Sequence, residues 1–353
     1  MATATKIEWT GHTWNPLAGC SVLTPGCKRC YAMKMAARLA AMGQPLYAGL
    51  TESSKAGPVW TGVMRQASQD VLLAPVRRKK PTTYFVNSMS DLFHEAVPDT
   101  WIDQVFAVMA LAPQHTFQIL TKRAARMRKY FELWPEGAAR FHHVALEAHK
   151  INPDLSSGMP DGWVWQLQKR WPLPNVWLGV STESQQEADE RIPDLLATPA
   201  KVRFISAEPL LGPLDLVSPL YRGEAGITMR GYLRNYAEPD DFHHHATKLD
   251  WVIVGGESGA RSRPMHPAWA RVLRDQCAEA GVAFFFKQWG SWVTEDQSPE
   301  DIVLPGKSNG PWAVRDGEGA WTGDQTQVFN VRKGAAGRLL DGREHSAMPG
   351  ATA

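Results

Sequence analysis

The sequence predicts an α/β protein built as a partial or full (β/α) barrel, and three observations support this. Short apolar runs recur along the chain, and each is nearly continuous, as in strands buried on both faces of a parallel sheet. A helix-like stretch follows most of these runs, which is the pattern of βαβ units. Each run ends in polar residues, where a barrel places its chemistry. An open doubly wound parallel sheet, which binds ligands at the same strand ends, is the alternative.

The predicted elements follow this rhythm. A first strand lies in IEWTGHTWN, and a helix over Met33–Gly43 follows the cysteine-rich loop and stops at its glycine. Six further strands lie in PTTYFVNSMSDLF, TFQILTKR, NVWLGVSTES, VRFISAEPLL, DWVIVGGESG and VAFFFKQWG. The barrel is assigned to residues 1–293, with the cysteine loop at 16–32 and insertions near 140–173 and 218–248. Residues 294–353 are assigned to a long loop and C-terminal tail appended to the barrel.

The composition limits the classes of protein to which this chain can belong. The 353 residues suffice for a large core without covalent staples. With 38 basic and 36 acidic residues the net charge is +2, too close to neutral to indicate a nucleic-acid partner by itself. We expect no membrane partner, because no apolar run reaches the length of a span. The N-terminus lacks a signal-peptide pattern, so a cytoplasmic, reducing location is predicted, where clustered cysteines are ligands rather than disulfides.

The cysteine loop is the strongest chemical feature. Cys20, Cys27 and Cys30 have the spacing C-x6-C-x2-C. Three thiolates on one loop suit a [4Fe–4S] cluster with one iron left open, which can bind a substrate or the amino and carboxylate groups of S-adenosylmethionine. Structural zinc is one alternative, and it needs a fourth ligand such as His12 or Cys277; unligated or redox-active thiols are the other.

At this point the chain resembles a known family. The motifs are WNP…GC…C..CYA, SMSDLF, ILTKR, GVSTES, ISAEPLL and VGGESG…RP, and they extend from Glu8 to about Trp292. Together they resemble the phage-associated three-cysteine-motif proteins of unknown function, a family that is similar to radical S-adenosylmethionine enzymes. The resemblance implies a partial (β/α) barrel of the radical S-adenosylmethionine type, with a [4Fe–4S] cluster on Cys20, Cys27 and Cys30. It also implies reductive cleavage of S-adenosylmethionine to a 5′-deoxyadenosyl radical that abstracts hydrogen from a substrate.

The sequence departs from the usual radical S-adenosylmethionine pattern in two ways. Most such enzymes have C-x3-C-x2-C with an aromatic residue before the last cysteine, whereas here the first gap is six and Arg29 precedes Cys30. The usual Gly-Gly-Glu follows the second strand, whereas here it stands at 255–257, near the sixth, so that role is not transferred. A binding role without catalysis therefore stays open.

Polar residues at the predicted strand ends are the other candidates. Carboxylates there are explained equally by helix capping, but their recurrence in one strand-end position favours a polar pocket. The candidates for catalysis are Glu208, Lys287 and Glu257. The candidates for cofactor binding are Asn87, Ser88, Asp91, Lys122, Ser181, Glu183, Gly255 and Gly256.

The sequence thus predicts a radical S-adenosylmethionine-type enzyme whose substrate is unknown, with a nucleic acid or nucleotide favoured. An electron donor such as flavodoxin or ferredoxin and a companion protein are the other predicted partners. The first alternative is a zinc- or cluster-stabilised module that binds nucleic acid or protein without catalysis. The second is a barrel enzyme that uses Glu208 or Glu257 as general base without a radical.

Overall fold

A computed structural model describes residues 3–132, 138–156, 162–217, 219–221, 227–229, 231–233, 248–259, 261–299 and 327–350. The chain divides into two units, Met1–Val180 with Pro193–Arg203, and Ser181–Ile192 with Phe204–Ala353. Most of the predicted insertion near 218–248, and much of the predicted loop after residue 294, lie outside the described residues.

The first unit contains a mostly parallel set of strands. Its strands are β1 (Thr3–Ala4), β2 (His12–Trp14), β3 (Leu17–Ala18), β4 (Thr51–Ser54), β5 (Gly57–Trp60), β6 (Arg65–Gln66), β7 (Thr83–Val86), β8 (Thr116–Thr121) and β9 (Val176–Ser181). Five of them are neighbours in the order β1-β2-β7-β8-β9. Only the β1–β2 pair in this order is antiparallel. The strands β3 and β6, and likewise β4 and β5, form two separate antiparallel pairs outside this strand order.

The apolar strand residues form the core of this unit. Trp14, Tyr84 and Phe117 come from three adjacent strands and are fully buried. The rings of Tyr84 and Phe117 stack with centroids 5.6 Å apart, and those of Trp14 and Phe117 lie 5.5 Å apart. Such aromatic pairs add to the free energy gained by burial. The near-continuous apolar runs are therefore explained by burial on both faces of the strands.

Helices connect and cover these strands. They are α1 (Tyr31–Ala41), α2 (Gln69–Leu72), α3 (Ala74–Arg77), α4 (Asp99–Leu111), α5 (Ala124–Glu132), α6 (Ala138–Ile151) and α7 (Gly162–Lys169). Helix α1 begins directly after Cys30 and two residues before the predicted start. The predicted insertion near 140–173 contains most of α6 and all of α7, and α6 packs against α4. Within the described part of the chain, every helix is too short or too polar to span a lipid bilayer.

The second unit repeats the parallel pattern. Its elements are α8 (Gln185–Leu196), β10 (Val202–Ala207), β11 (Pro219–Tyr221), β12 (Ile227–Met229), β13 (Trp251–Gly255), α9 (Pro267–Ala280), β14 (Ala283–Gln288), β15 (Trp292–Thr294), β16 (Val328–Asn330) and α10 (Lys333–Ala336). Strand β13 lies parallel between β10 and β14, and α9 packs on β13 and β14. Strands β11–β12 and β15–β16 form antiparallel pairs.

These elements confirm the α/β class that the sequence predicts. Each of the seven predicted segments contains a strand in the structure, from β2 through β7, β8, β9, β10 and β13 to β14. Pairing between successive members is parallel within each unit. The polar residues that follow the parallel strands of a unit therefore come to the same edge of that unit, which positions the candidate sites.

Candidate functional site

The cysteine loop begins in the first unit at Gly19, where the backbone passes close to that of Val63. Gly19 follows β3 with φ of 105°, a conformation that favours glycine. A Cβ at this position would lie 2.0 Å from the backbone oxygen of Val63, so no larger residue fits without moving the backbone. The N–H of Gly19 donates to the carbonyl of Met89 (3.2 Å), which ties the start of the loop to the segment after β7.

The end of β7 holds the loop through several more hydrogen bonds. The Asn15 side-chain oxygen accepts from Ser88 Oγ (3.1 Å) and from the N–H of Met89 (3.0 Å). Asn87, with φ of 60°, accepts from the N–H of Leu17 through its Oδ1 (3.3 Å). The Tyr31 hydroxyl donates to the Ser88 carbonyl (2.7 Å). Asn87 and Ser88, two predicted cofactor-binding residues, thus position the cysteine loop. The Asn87 Nδ2 group is buried and has no hydrogen-bond partner among the described residues.

The three thiols of the loop are free and differ in their environments. Cys27 closes a short 3₁₀ turn and is 8% exposed, and its carbonyl accepts from the N–H of Cys30 (3.1 Å). Cys20 and Cys30 are partly buried against an apolar cluster that includes Met33 and Trp60. In the described residues, no group of three or more His, Cys, Asp or Glu side chains is arranged to hold a metal ion.

Charge and burial act differently on the three thiols. Burial raises the pKa of Cys20 to about 12, with a further contribution from Asp91, and these effects outweigh the opposing charge of Arg123. Burial also raises the pKa of Cys30, although backbone hydrogen bonds and Lys122 oppose it. For Cys27, burial acts in the same direction, but Lys122 and hydrogen bonds at the turn lower its pKa below the ordinary value. Cys27 is therefore the thiol most easily converted to the thiolate that metal binding requires.

Arg123 is the centre of a buried polar network beside this loop. Its guanidinium donates to Asp91 Oδ2 (3.1 Å), Ser21 Oγ (2.7 Å) and Glu95 Oε2 (2.9 Å). Its Nη1 also lies 3.9 Å from the Cys20 sulfur, within the range of a weak N–H···S hydrogen bond. Burial would lower the pKa of Arg123, but Asp91 and the neighbouring acids raise it, so the guanidinium remains charged.

Asp91 is the buried carboxylate of this network. It is 6% exposed, and its Oδ1 accepts from the Thr121 hydroxyl (2.7 Å) and from the N–H of Phe93 (3.0 Å). Its Oδ2 accepts from the N–H of Lys122 (3.0 Å) as well as from Arg123. A carboxylate with four donors, one of which is its ion-pair partner Arg123, is well compensated for its burial. Of the residues predicted to bind a cofactor, Asp91 therefore lies in the ion-pair network of the loop, and Lys122 contributes its backbone N–H to that network.

His94 completes the network on the other side of Ser21. Its Nδ1 accepts from the N–H of Ala96 (3.1 Å), so in the neutral ring Nε2 carries the proton and donates to Ser21 Oγ (2.9 Å). Burial and the charge of Arg123 lower the pKa of His94, which favours this neutral form. Ser21 thus receives two donors, from His94 and Arg123, next to Cys20.

In the second unit, Ser181 and Glu183 are internal rather than open to a ligand. Glu183 is 1% exposed, and its Oε2 accepts from Arg191 Nη1 (3.0 Å). The same Arg191 nitrogen donates to the Ser181 carbonyl (2.7 Å). A buried ion pair of this kind fixes the turn between β9 and α8. Arg191 thus occupies the Glu183 carboxylate and the Ser181 backbone carbonyl, and the cofactor-binding role of the two residues stays a prediction.

Glu208 and Lys287 meet in the second unit, although β13 lies between the strands β10 and β14 that carry them. Lys287 Nζ lies 3.1 Å from Glu208 Oε1, and Ser206 Oγ donates to Glu208 Oε2 (3.3 Å). Both side chains are mostly buried but retain an exposed fraction, 17% for Lys287 and 14% for Glu208. Gly255 makes room for this pair, because a Cβ there would lie 2.3 Å from Glu208 Oε1. The pair is the most open polar group among the predicted catalytic residues.

Glu257 is held differently. Arg263 pairs with it in a bidentate manner, with Nη2 2.6 Å from Oε1 and Nε 3.0 Å from Oε2. Gly256 precedes it in a close passage, since a Cβ at Gly256 would lie 2.0 Å from the backbone oxygen of Trp289. Glu257 is 7% exposed, so its carboxylate serves mainly to fix the loop after β13.

Sequence reasoning assigned no site role to four of the polar residues beside the cysteine loop. They are Asn15, Ser21, His94 and Glu95. Arg123, which lies beside Cys20, is likewise absent from the candidates that the sequence predicts. A usable signal was present, because SDLFHE and ILTKR place acidic and basic residues after adjacent parallel strands.

Comparison with known proteins places the chain in a family. Residues 4–349 match the family described as protein of unknown function DUF5131. The chain belongs to this family. No curated protein and no solved structure matches it. Membership confirms the prediction of a family of unknown function, and it assigns no reaction to the members.

Proposed function

We propose that this DUF5131 protein is a radical S-adenosylmethionine-type iron–sulfur enzyme. In this proposal Cys20, Cys27 and Cys30 hold a [4Fe–4S] cluster, and S-adenosylmethionine binds to the open iron. The observation that carries the proposal is a loop with three free thiols whose path is fixed by the ends of two parallel strands. Gly19 and Asn15 tie the loop to the end of β7, and Arg123 ties it to the end of β8.

The donor set fits such a cluster by its chemistry. Iron–sulfur clusters are held by thiolates, and three thiols stand in one loop. Lys122 helps to lower the pKa of Cys27, and Arg123 opposes part of the rise in pKa that burial causes at Cys20. His12, the sequence candidate for a fourth zinc ligand, begins β2 and has a pKa that is lowered by burial and by Arg78 and Lys80. Arg78 and Lys80 precede β7, so His12 lies near the start of that strand. The cysteine loop is tied to the other end of β7.

When bound, the cofactors supply an electron and a 5′-deoxyadenosyl radical that removes a hydrogen atom from the substrate. The residues of the chain would orient the substrate and the cofactors and shield them from solvent. Arg123 directs an N–H toward the Cys20 sulfur, and such hydrogen bonds tune the electronics of a sulfur ligand. Glu208 and Lys287 are proposed to contact the substrate, because their pair retains access to solvent.

The remaining parts of the proposal follow the family resemblance. The strands are proposed to form the partial barrel of radical S-adenosylmethionine enzymes, and the protein is proposed to act in the cytoplasm and in association with phage. A nucleic acid or nucleotide is the proposed substrate class. A flavodoxin or ferredoxin is the proposed electron donor, and a companion protein is a further proposed partner.

Metal analysis tests the proposal directly. The protein is purified without oxygen, reconstituted with iron and sulfide, and analysed for iron, sulfide and zinc per chain. We expect about four irons and formation of 5′-deoxyadenosine after addition of dithionite and S-adenosylmethionine. Cys27→Ala should lose the iron, whereas the control Cys277→Ala, which removes a buried thiol of α9 outside the loop, should retain it. Zinc in place of iron would overturn the proposal in favour of a zinc-stabilised binding module.

A further inference from the structure

The hydroxyl of Ser21, the residue after Cys20, receives hydrogen bonds from two donors whose direction is fixed. Arg123 Nη2 donates to Ser21 Oγ (2.7 Å), since a guanidinium has no acceptor atom. His94 Nε2 also donates to Ser21 Oγ (2.9 Å), because Nδ1 of the same ring accepts from the N–H of Ala96 (3.1 Å). A hydroxyl oxygen accepts two hydrogen bonds and donates one. Both acceptor positions of Ser21 are therefore occupied, and its own hydrogen is left for a third group.

The hydrogen of Ser21 has no acceptor within the described residues, in contrast to two other serines near the loop. Ser88 Oγ donates to Asn15 Oδ1 (3.1 Å), and Ser90 Oγ donates to the carbonyl of Leu17 (3.0 Å). Both of those serines follow β7, and their hydroxyls connect the end of that strand to the segment around β3. Of these three hydroxyls, the described contacts leave only that of Ser21 with an unused hydrogen.

Ser21 lies beside the sulfur of Cys20. The Ser21 carbonyl oxygen is 3.5 Å from Cys20 Sγ. One guanidinium contacts both residues, with Arg123 Nη1 3.9 Å from Cys20 Sγ and Nη2 on Ser21 Oγ. Arg123 and His94 are each 5% exposed, whereas Ser21 is partly exposed. Because the bonds of a hydroxyl oxygen spread roughly tetrahedrally, the Ser21 hydrogen is directed away from these two buried donors and is available to a group bound at the loop.

We propose that the Ser21 hydroxyl donates a hydrogen bond to a sulfide of the iron–sulfur cluster, an inference that rests on the proposed function. Two donors on Ser21 Oγ, one of them charged, polarise the hydroxyl and strengthen its own donation. Hydrogen bonds to the sulfurs are among the factors that set the reduction potential of a cluster. Since an added electron makes the sulfides more negative, this hydrogen bond favours the reduced state of the cluster.

The experiment measures the reduction potential of the cluster in reconstituted full-length protein, by redox titration followed by EPR spectroscopy. Ser21→Ala removes the proposed donor, and Ser90→Ala is the matched control, because the Ser90 hydrogen is already used within the fold. At a given applied potential we expect Ser21→Ala to lower the ratio of reduced to oxidised cluster about tenfold, which is a shift of about 59 mV to more negative values for one electron. Ser90→Ala should keep the wild-type potential. Ser21→Thr, which retains a hydroxyl, should keep it as well.

The iron content of the same samples separates this inference from the proposed function. An unchanged potential in Ser21→Ala with full iron content would overturn the inference and leave the proposed cluster in place. An equal shift in Ser90→Ala would also overturn it. A wild-type protein that holds no iron would refute the proposed function, and this inference with it.

A second pair of variants decides the matter if Ser21→Ala fails to hold iron. Ser21→Thr and Ser21→Val have the same shape and differ in the hydroxyl. A more negative potential in Ser21→Val than in Ser21→Thr supports the hydrogen bond to the cluster. Loss of iron from Ser21→Val as well would assign the hydroxyl to holding the loop and refute the inference.

Discussion

The two carboxylates that pair with Arg123 offer a controlled test of what holds the cysteine loop. Asp91 and Glu95 lie at nearly the same distance from the guanidinium, 3.1 and 2.9 Å. Their burial differs sharply, since the Asp91 side chain is 8% exposed and that of Glu95 is 63% exposed. Replacing each acid by its amide removes one charge and little volume. We expect Asp91→Asn to be strongly destabilising and Glu95→Gln to be nearly neutral.

The magnitudes follow from burial and from the donors that each oxygen receives. Breaking a buried ion pair by removing one charge costs about 3–5 kcal/mol, because the remaining charge is left poorly compensated. Arg123 would keep Glu95 and Ser21 as acceptors, so we expect Asp91→Asn to lower the free energy of unfolding by about 3 kcal/mol, the lower end of this range. Either orientation of the new amide also turns its NH₂ toward a backbone N–H, that of Phe93 or that of Lys122. The solvent-exposed pair with Glu95 is worth less than about 1 kcal/mol.

Urea unfolding followed by circular dichroism measures both changes. We expect the midpoint of Asp91→Asn to fall clearly at an unchanged slope, and that of Glu95→Gln to stay close to wild type. In reconstituted protein, Asp91→Asn should also lose iron faster to a chelator, because Arg123 and Ser21 connect it to Cys20. Equal losses of stability in the two variants would refute the argument that burial decides the strength of these pairs.

Other parts of the chain give further predictions. Burial lowers the pKa of His115, so only the unfolded chain binds this proton as the pH falls below about 6.5, and stability should fall between pH 7 and 5. His115→Gln should flatten that dependence in urea titrations at several pH values, whereas an unchanged slope would contradict it. Gly256→Ala should lower the free energy of unfolding by about 1–3 kcal/mol, because its Cβ meets the Trp289 backbone oxygen. Gly255→Ala should lower the melting temperature less than Gly256→Ala does, because the added Cβ meets the flexible Glu208 side chain, which can move aside.

The strands were predictable because their signal is local. A nearly continuous apolar run such as WVIVG in β13 is buried at every residue, and burial on both faces is what removes the alternation. The same applies to the phenylalanine run of β14. Turn residues and polar strand ends then mark the boundaries. These features need no knowledge of which segments meet in space.

The supports of the cysteine loop were not predictable in this way. Ser21 and Arg123 are 102 residues apart in the chain, and Asn15 and Met89 are 74 apart. Only the pairing of β2 with β7 and of β7 with β8 brings them together. The sequence placed Asp91 and Lys122 at strand ends, but it could not show that they share one network with Arg123.

The loop itself explains why its supports come from outside. Between β3 and α1 the described backbone has only a short 3₁₀ turn as regular structure, and hydrogen bonds within that turn hold Cys27. The start of the loop depends instead on the segments after β7 and β8, through Asn15, Gly19 and Arg123. If the protein holds the proposed cluster, substitutions in those distant segments should therefore release its iron more readily than changes at the exposed residues Val22 and Leu23 do.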